Sequence, residues 1–357
     1  MSLFPVTNFD KEIYETMLKD FLPDKLIDIH THVYRKDLEP KKDPVKGEVK
    51  RTVTWPSLVA QDNSIEDLKE TYRLLFPGKE VTPLMFASSV TLETQEIHNN
   101  YVKESAEKTG YPALYFSHPK QSGEEIREKV LGGGFLGLKS YLSLSPIYLP
   151  VAEIRIFDFF PKEHLEVMND LGGIVMLHIP RNGRLKDPIN IAQICEIKEE
   201  FPNVRLIVAH IGRAYTRDDV GDAFEILSRY DDLMFDFCAN TCEYAMIKML
   251  EAMGPQNVLF GSDFPILRMR TRRIEENGTY INLVPPGLYG DPNQDPHLRE
   301  VSQEQAEKIT FFMYEEILAF QRASQAVGLS KNDIELAFYT NAKKLIEGVR
   351  KDMYGTM

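Results

Sequence analysis

Three polar residues alternate along a short apolar stretch near the N-terminus. The stretch reads Lys-Leu-Ile-Asp-Ile-His-Thr-His, and its Asp28, His30 and His32 fall two residues apart. Successive side chains of a strand point to opposite faces, so this spacing predicts that the three share one face. Burying such groups unpaired is costly, and two neutral imidazoles beside a carboxylate suit a divalent metal. The pattern predicts a metal site at the end of a strand, although two histidines two apart also arise by chance.

Apolar runs of similar length recur along the chain and are separated by helical or loop segments. Eight of them are Lys25–His32, Val81–Ala87, Pro112–Ser117, Gly134–Lys139, Gly173–His178, Val204–His210, Leu233–Cys238 and Val258–Asp263. Near-continuous apolar runs are typical of parallel strands that are covered on both faces. Eight such units predict an α/β fold of the (β/α)8 TIM-barrel type, with a doubly wound open sheet as the alternative.

Ionisable residues stand at or next to the ends of several of these runs. They are His30, His32, Lys139, His178, His210 and Asp263. The carboxyl ends of barrel strands converge on one face, so residues far apart in sequence would meet there. Such a set indicates a metal-centred active site. No run is followed by a glycine-rich phosphate-binding loop, which leaves nucleotide binding without support.

The remaining segments are expected to pack on the barrel or cover its mouth. We expect one domain over 1–357, with a barrel core at about 25–265 and C-terminal helices at about 302–351. These segments are an N-terminal helix at Asn8–Leu22, long rim loops at Val33–Asn63 (with Trp55) and Ile266–Arg299, and amphipathic helices at Ser302–Val327 and Asp333–Arg350. Loops this long are usually lids or subunit contacts, so a homodimer built partly from them is expected.

Composition restricts the possible partners. The chain has 357 residues, 43% of them hydrophobic and 27% charged, with a net charge of -12. This acidity argues against a general nucleic-acid binder, but a locally positive pocket could still bind a small anionic substrate. No apolar stretch approaches a membrane span, and the N-terminus lacks the features of a secretory signal, which favours a cytoplasmic protein.

The three cysteines do not form a disulfide framework. They are Cys195, Cys238 and Cys242, a number and spacing that fit a reducing compartment. Cys238 and Cys242 could resemble half of a zinc site, but no second pair accompanies them. We interpret them as buried or partly buried thiols.

Five short motifs occur in order along nearly the whole chain. They are Asp28-Ile-His30-Thr-His32, Leu177-His178, Ala209-His210-Ile-Gly212, Phe260-Gly-Ser-Asp263-Phe-Pro265 and Tyr339-Thr-Asn341-Ala342. With these motifs the sequence resembles the amidohydrolase superfamily, specifically its family 2 branch of metal-dependent TIM-barrel hydrolases and decarboxylases. The resemblance is specific for fold and metal chemistry, and it does not specify a substrate.

The resemblance implies a role for each matching residue. His30 and His32 would be paired metal ligands, His178 a third ligand, and Asp263 a carboxylate that binds the metal or its water. His210 matches a histidine that the family places beside that water or the substrate. Because family 2 members generally bind one metal, we expect one divalent ion. Zinc fits best, and manganese, iron, cobalt or nickel also suit these ligands.

Several further residues are candidates for binding substrate. In binuclear relatives a lysine on strand four is carboxylated and bridges two metals, whereas here we favour a cationic Lys139 that binds a substrate carboxylate or carbonyl. Arginine recognises carboxylates through two parallel hydrogen bonds, and each arginine near the rim could equally be a salt-bridge partner. The rim candidates are Arg181, Arg184, Arg213, Arg268, Arg270, Tyr141 and Tyr215.

The resemblance implies a hydrolase that acts on a small carboxylated lactone, ester or amide. A metal-activated water would attack, Asp263 would carry the proton to the leaving group, and His210 would steady the developing charge or orient the water. The alternative is a non-oxidative decarboxylase of a small aromatic or unsaturated acid. A third hypothesis is a barrel that has lost turnover and serves as a binding protein.

Overall fold

Eight parallel strands form the centre of the computed structural model, which describes residues 2–39, 56–88, 91–291, 293 and 295–355. The predicted (β/α)8 barrel is confirmed, and its strands follow the predicted order. They are β1 (Lys25–His32), β2 (Glu80–Phe86), β3 (Tyr115–Phe116), β4 (Gly137–Lys139), β5 (Ile174–Leu177), β6 (Arg205–Val208), β7 (Met234–Asp236) and β8 (Val258–Leu259).

Backbone pairing closes these strands into a ring. β3 to β8 pair in sequence order as one parallel sheet, and β1 pairs with β2. Parallel bridges from Met85 to Ala113 and from Thr31 to Phe264 join the two groups at both edges. The alternative of an open, doubly wound sheet is therefore wrong.

Regular strand pairing ends before three of the predicted site residues. His178, His210 and Asp263 lie beyond the last residues of β5, β6 and β8. Their backbones turn there into the loops at the mouth of the barrel, and His210 and Asp263 have φ angles of 59° and 51°. Loop backbone at the carboxyl ends of strands therefore positions these side chains, as is usual for this architecture.

Helices form the outer layer of the barrel. They are Ile65–Leu75, Gln95–Thr109, Gly123–Gly133, Lys162–Leu171, Pro188–Glu200, Ala223–Leu227 and Glu243–Met253. Two of these helices begin with a capping box. In each, the side chain of a serine accepts a hydrogen bond from the backbone amide of the third helical residue, and the acidic side chain of that residue accepts one from the serine amide. Ser64 pairs in this way with Asp67, and Ser122 with Glu125.

All three predicted terminal helices are divided. The N-terminal helix runs over Asn8–Ile13 and continues as a π-helix at Tyr14–Leu18. The segment predicted as one helix at Ser302–Val327 instead forms Gln303–Ala306 and Phe312–Ala326, because Phe311 between them is extended and bridges to Arg270. The last segment forms Lys331–Glu335, a π-helix at Leu336–Thr340 and a helix at Asn341–Tyr354.

The last helix closes the end of the barrel where the strands begin. The Asn341 side chain donates to the backbone oxygens of Pro255 and Val258, at 2.8 and 2.9 Å, just where β8 starts. The apolar face of this last helix packs into the barrel interior through Ala342, Leu345, Ile346 and Val349. Burial of these side chains closes this end with apolar packing.

A small second sheet lies beyond the last barrel strand. It comprises β9 (Arg272–Glu276), β10 (Thr279–Val284) and β11 (Leu298–Glu300), with β9 antiparallel and β11 parallel to β10. Asn277 and Gly278 form the β9–β10 turn with φ angles of 52° and 72°, which is the favoured chemistry of a two-residue hairpin. Thus part of the predicted rim loop at Ile266–Arg299 forms a three-stranded sheet, which we call the cap sheet.

The other predicted cover, Val33–Asn63, lies largely outside the described residues, as does Trp55. Its described ends are tied together, because Tyr34 and Asn63 exchange backbone hydrogen bonds at 3.0 Å. Among the helices that the structure describes, none has the length and apolar character needed to cross a membrane.

Candidate active site

An irregularity in β1 determines which of its side chains face the barrel interior. Asp28 lies opposite Pro83 and Thr31 lies opposite Met85, so three steps along β1 match two along β2. One extra residue in a strand resets its side-chain alternation. Ile29 belongs to the interior apolar cluster, and the next residue, His30, lines the cavity at the barrel mouth.

Asp28 does not join the histidines, so the prediction that it shares their face is wrong. Its carboxylate accepts hydrogen bonds from the Tyr72 hydroxyl on an outer helix and from the Ser262 amide, both at 2.8 Å. Complete burial raises the pKa of Asp28 to about 7. Asp28 therefore connects β1 to its surroundings rather than to the cavity.

His30, His32 and Asp263 converge at the mouth of the barrel. The Oδ1 atom of Asp263 lies 3.2 Å from Nε2 of His32 and 3.6 Å from Nε2 of His30. One potential ligand atom from each residue lies within 4.8 Å of the others. This separation suits three ligands around one ion.

The other ring nitrogen of each histidine is already engaged. Nδ1 of His30 donates to Oδ2 of Asp236, and Nδ1 of His32 donates to the Ala87 carbonyl, both at 2.9 Å. This assignment follows from the hydrogen-bond network and leaves both Nε2 atoms directed towards Asp263. Histidine ligands of metals are normally oriented in this way, so the residues fit a divalent ion.

The protonation states also suit a cation. Burial, with the charge of Lys139, lowers the pKa of His30 to about 4, so its imidazole is neutral at pH 7. Burial alone would raise the pKa of Asp263, but the His32 hydrogen bond and the neighbouring histidines hold it below its usual value. Neutral imidazoles and an ionised carboxylate are the donors that transition metals prefer.

His178 lies in the same cavity but outside this group of three. Its ring centroid is 5.2 Å from that of His210 and 4.6 Å from that of Tyr141. Its Nδ1 atom is buried and makes no hydrogen bond within the described part of the chain. An unpaired buried nitrogen is costly, which is consistent with a ligand there. The role of His178 as a third ligand stays a prediction.

His210 lies on a left-handed turn. His210, Ile211, Gly212 and Arg213 all have φ angles between 50° and 59°. Each non-glycine residue in this region costs on the order of 1 kcal/mol, and such strain concentrates at functional sites. Nδ1 of His210 donates to the Cys238 carbonyl at 3.1 Å, which leaves Nε2 free as an acceptor.

Asp236, at the end of β7, holds two of these histidines and was missed in the sequence. Besides accepting from Nδ1 of His30, it accepts from the His210 amide at 2.7 Å and from the Cys238 thiol at 2.9 Å. Burial would raise the pKa of Asp236, but its interaction with His30 keeps it lowered. The signal in the sequence was a single carboxylate inside an apolar strand.

Lys139 extends into the cavity from the end of β4. It is 1% exposed, and its Nζ atom lies 5.3 Å from the centre of the Phe86 ring. Burial lowers the pKa of Lys139 to about 8, against the opposing attraction of Asp263 and Asp236. Lys139 is therefore mainly cationic at pH 7, with a reactive neutral fraction.

The cavity has aromatic walls. Its volume is about 480 Å³, and it contains the five predicted residues His30, His32, His178, His210 and Asp263 together with Lys139. The aromatic side chains that line it are Tyr34, Phe116, Tyr141, Tyr215, Tyr280 and Phe312. A cavity of this size holds a small molecule, and planar rings suit these walls.

The arginines that were predicted to bind substrate are engaged elsewhere. Arg181 donates to both oxygens of Asp187 at 3.1 Å, and Arg184 donates to Asp219 at 2.6 Å. Arg213 donates to backbone carbonyls of the loop after β5. None of the three is among the described residues that line the cavity, and their role in substrate binding stays a prediction.

Arg268 and Arg270 are likewise structural. Arg270 pairs with the buried Asp10 at 2.6 Å and ties the N-terminal helix to the barrel. Arg268 is buried, with its guanidinium 5.7 Å from the Phe4 ring. Among the described residues, the arginine that does line the cavity is Arg273 on β9, which sequence reasoning missed.

A buried carboxyl group near the site gives a stability prediction. Glu316 is fully buried on the helix Phe312–Ala326, and its oxygens make no hydrogen bond of normal geometry with any described residue. Burial raises the pKa of Glu316 well above its usual value, and the Ala239 backbone offsets only part of this. The carboxyl group of Glu316 therefore ionises at a lower pH in the unfolded chain than in the folded protein. As the pH rises between these two pKa values, the free energy of unfolding of the parent protein falls by about 1.4 kcal/mol per pH unit.

Replacing Glu316 with Gln should therefore raise the free energy of unfolding more at pH 8 than at pH 5. The gain at pH 8 should exceed the gain at pH 5 by about 1.4 kcal/mol for each pH unit by which the folded pKa lies above 5. Urea unfolding at both pH values measures it, with the exposed Glu304→Gln as control. Equal differences at the two pH values would contradict a neutral Glu316.

Residues 27–347 match the sequence model of a family described as Amidohydrolase. No curated protein matches the chain in a sequence comparison. Solved structures do match, and they identify the fold.

Three examples with TM-scores above 0.5 illustrate the similarity. A probable 2-pyrone-4,6-dicarboxylic acid hydrolase from Acinetobacter baumannii, with citric acid bound, has a TM-score of 0.52 at 14% identity, covering 90% of this chain and 99% of its own. A manganese-bound 5-carboxyvanillate decarboxylase from Novosphingobium aromaticivorans scores 0.54 at 11% identity, covering 90% and 97%. A 2,6-dihydroxybenzoate decarboxylase from Rhizobium scores 0.52 at 14% identity, covering 91% and 99%.

Proposed function

The chain belongs to the amidohydrolase family, and from that premise we propose that it is a metal-dependent hydrolase of a small carboxylated lactone, ester or amide. The observation that carries the proposal is the convergence of Nε2 of His30 and His32 on Asp263 at the mouth of the closed barrel. The cavity around them also contains His210 and Lys139, which provide a proton acceptor and a cation.

We propose one divalent ion, with zinc first and manganese, iron, cobalt or nickel as alternatives. His30, His32 and Asp263 would hold it, with His178 as a further ligand. Such an ion polarises a carbonyl group and lowers the pKa of water towards 7. The buried, neutral state of His30 supports this ligand set, because protonated imidazole cannot bind a cation.

The protein groups would then share the proton transfers. Asp263, which is ionised, accepts a proton from the attacking water and returns it to the leaving group. Neutral His210 can only accept through Nε2, because its Nδ1 donates to Cys238, so it orients the water rather than stabilising an oxyanion. The cationic Lys139 stabilises the negative charge that develops on the substrate.

A second candidate is non-oxidative decarboxylation of a small aromatic or unsaturated acid. The aromatic walls of the cavity favour it, because they suit a planar ring carrying a carboxylate. Both chemistries occur among proteins of this fold, since solved neighbours include a hydrolase of a pyrone dicarboxylic acid and decarboxylases of aromatic acids. In this second reaction Asp263 would first take a proton from water and then pass it to the ring carbon that loses carbon dioxide.

A product assay separates the two reactions. The protein is stripped with a chelator, reloaded with Zn²⁺ or Mn²⁺, and given a panel of carboxylated lactones and aromatic acids. Hydrolysis should appear as one new acid group per turnover in a pH-stat, and decarboxylation as carbon dioxide release. We expect activity only after reloading, with about one metal equivalent bound.

The double variant His30→Ala, His32→Ala is the control. It should lose both the metal and the activity while keeping the barrel, as checked by circular dichroism. Activity in the stripped parent or in this variant would contradict the proposal. Two bound equivalents would contradict the single ion and favour Lys139 as a bridging ligand.

A further inference from the structure

Arg273 is positioned by the cap sheet. It lies on β9 directly opposite Asn282 on β10, and its Nε atom donates to Oδ1 of Asn282 at 2.9 Å. Its Nη1 atom donates to the Ala239 carbonyl at 2.7 Å. A guanidinium has five N–H groups, and these two bonds leave three without a described acceptor. The side chain is thus held firmly while part of its donor capacity remains unused.

Aromatic rings surround the guanidinium. Its central carbon lies 4.5 Å from the ring centre of Tyr280, 4.8 Å from Tyr215 and 4.5 Å from Phe312. Tyr280 is itself stacked on His297, with centroids 4.2 Å apart and planes 8° apart. All three rings that touch Arg273 line the cavity. Their faces stabilise a cation but leave its charge uncompensated.

No carboxylate oxygen of a described residue lies within 4.0 Å of Arg273, whereas a neighbouring arginine is neutralised. Arg184 contacts the same Tyr215 and Tyr280 rings, at 5.2 and 5.1 Å, and forms an ion pair with Asp219. Of the acidic groups, Glu316 acts on Arg273 electrostatically, but it forms no ion pair with it within 4.0 Å, and burial raises the pKa of Glu316 well above its usual value. An unpaired buried cation is costly in a folded protein.

We propose that Arg273 binds a carboxylate of the substrate that takes no part in the reaction, and that Tyr215 and Tyr280 pack against the planar ring carrying it. This inference rests on the proposed function, because it names the substrate class of the same cavity: planar, unsaturated acids with a second anionic or carbonyl group. The reacting group lies at His30, His32 and Asp263, and the retained carboxylate lies at Arg273. Arg273 thereby selects the substrate and fixes its orientation.

Binding of two matched probes tests the proposal without turnover. Isophthalate carries two carboxylates on one ring, and 3-carbamoylbenzoate has the same shape with one carboxylate replaced by a neutral amide. Isothermal titration of the metal-loaded protein should show a preference for isophthalate of roughly 10- to 100-fold, the range for a charge-assisted hydrogen-bonded contact. In Arg273→Met this preference should fall below about threefold.

The neighbouring arginine provides a matched control. Arg272 is adjacent, 53% exposed and paired with Glu315 at 3.4 Å, so Arg272→Gln should keep the parent preference. Arg273→Lys, which keeps a charge but loses the planar fork, should retain an intermediate preference. If Arg273→Met does not fold, this lysine variant decides the matter, and an unchanged preference in it would count against the bidentate contact.

The outcomes separate this inference from the proposed function. A parent without preference for isophthalate, or an Arg273→Met variant that keeps it, overturns the role of Arg273 even if the enzyme hydrolyses lactones. Loss of the preference in Arg273→Met, with no turnover of any lactone or aromatic acid, supports the carboxylate site and overturns the hydrolase. Equal metal content in all variants excludes an effect through the metal ligands.

Discussion

Asp263→Asn should lower turnover by at least roughly 100-fold, the lower part of the range for loss of a positioned proton-transfer group. The carboxylate of Asp263 lies 3.2 Å from Nε2 of His32 and is ionised at neutral pH. An amide of the same shape removes one anionic ligand and the proton acceptor together. Because Asp263 is held by its backbone and buried, the substitution should leave the barrel folded.

The measurement is kcat at saturating metal, with elemental analysis of the purified variant. Asp24→Asn is the matched control, because Asp24 is an exposed aspartate that precedes β1 at the opposite end of the barrel. If the variant is fully metal-loaded but inactive, the loss of turnover is due to the loss of proton transfer. Full activity in Asp263→Asn would exclude Asp263 as the proton carrier.

Asp236→Asn should weaken metal binding by roughly 10- to 100-fold, although Asp236 is not expected to touch the metal. The carboxylate accepts from Nδ1 of His30, from the His210 amide and from the Cys238 thiol. An asparagine side chain has only one acceptor atom, and its NH₂ group must face one of these donors. The His30 ring would lose the partner that fixes its tautomer and directs Nε2 towards Asp263.

Competition with a chelator of known affinity measures the metal dissociation constant of this variant. Asp231→Asn provides the comparison, because Asp231 is an exposed aspartate shortly before β7. Thermal unfolding of the stripped proteins separates a local change from general destabilisation. Unchanged metal affinity in Asp236→Asn would show that His30 is oriented by other contacts.

The barrel and the residues at its mouth could be predicted from the sequence because both depend on local patterns. Apolar runs that end in ionisable residues define strands and their carboxyl ends without reference to the rest of the chain. The extra residue in β1 could not be found in this way. It depends on how Asp28 and Thr31 pair with β2, and the partner strand lies about fifty residues away.

The contacts of the arginines could not be predicted, because an ion pair depends on distant partners. Arg184 looks available in the sequence, but Asp219, 35 residues later, neutralises it. Arg273 looked like one more charge in a loop, although Asn277-Gly278 after it is a strong hairpin signal that would have placed it on a strand. The hairpin sets Arg273 opposite Asn282, and that pairing directs its guanidinium to the cavity.

With the exception of Tyr215, chain order separates the residues proposed to act on the reacting bond from those proposed to select the substrate. Every residue proposed to act on the reacting bond lies on the barrel between 30 and 263, whereas Arg273 and Tyr280 belong to the cap sheet that follows it. Exchange of this one contiguous segment among barrels of the same type would alter which acids enter while the metal ligands stay in place. The substrate range of this protein can therefore change through replacement of the cap sheet, while the metal ligands and the barrel fold are retained.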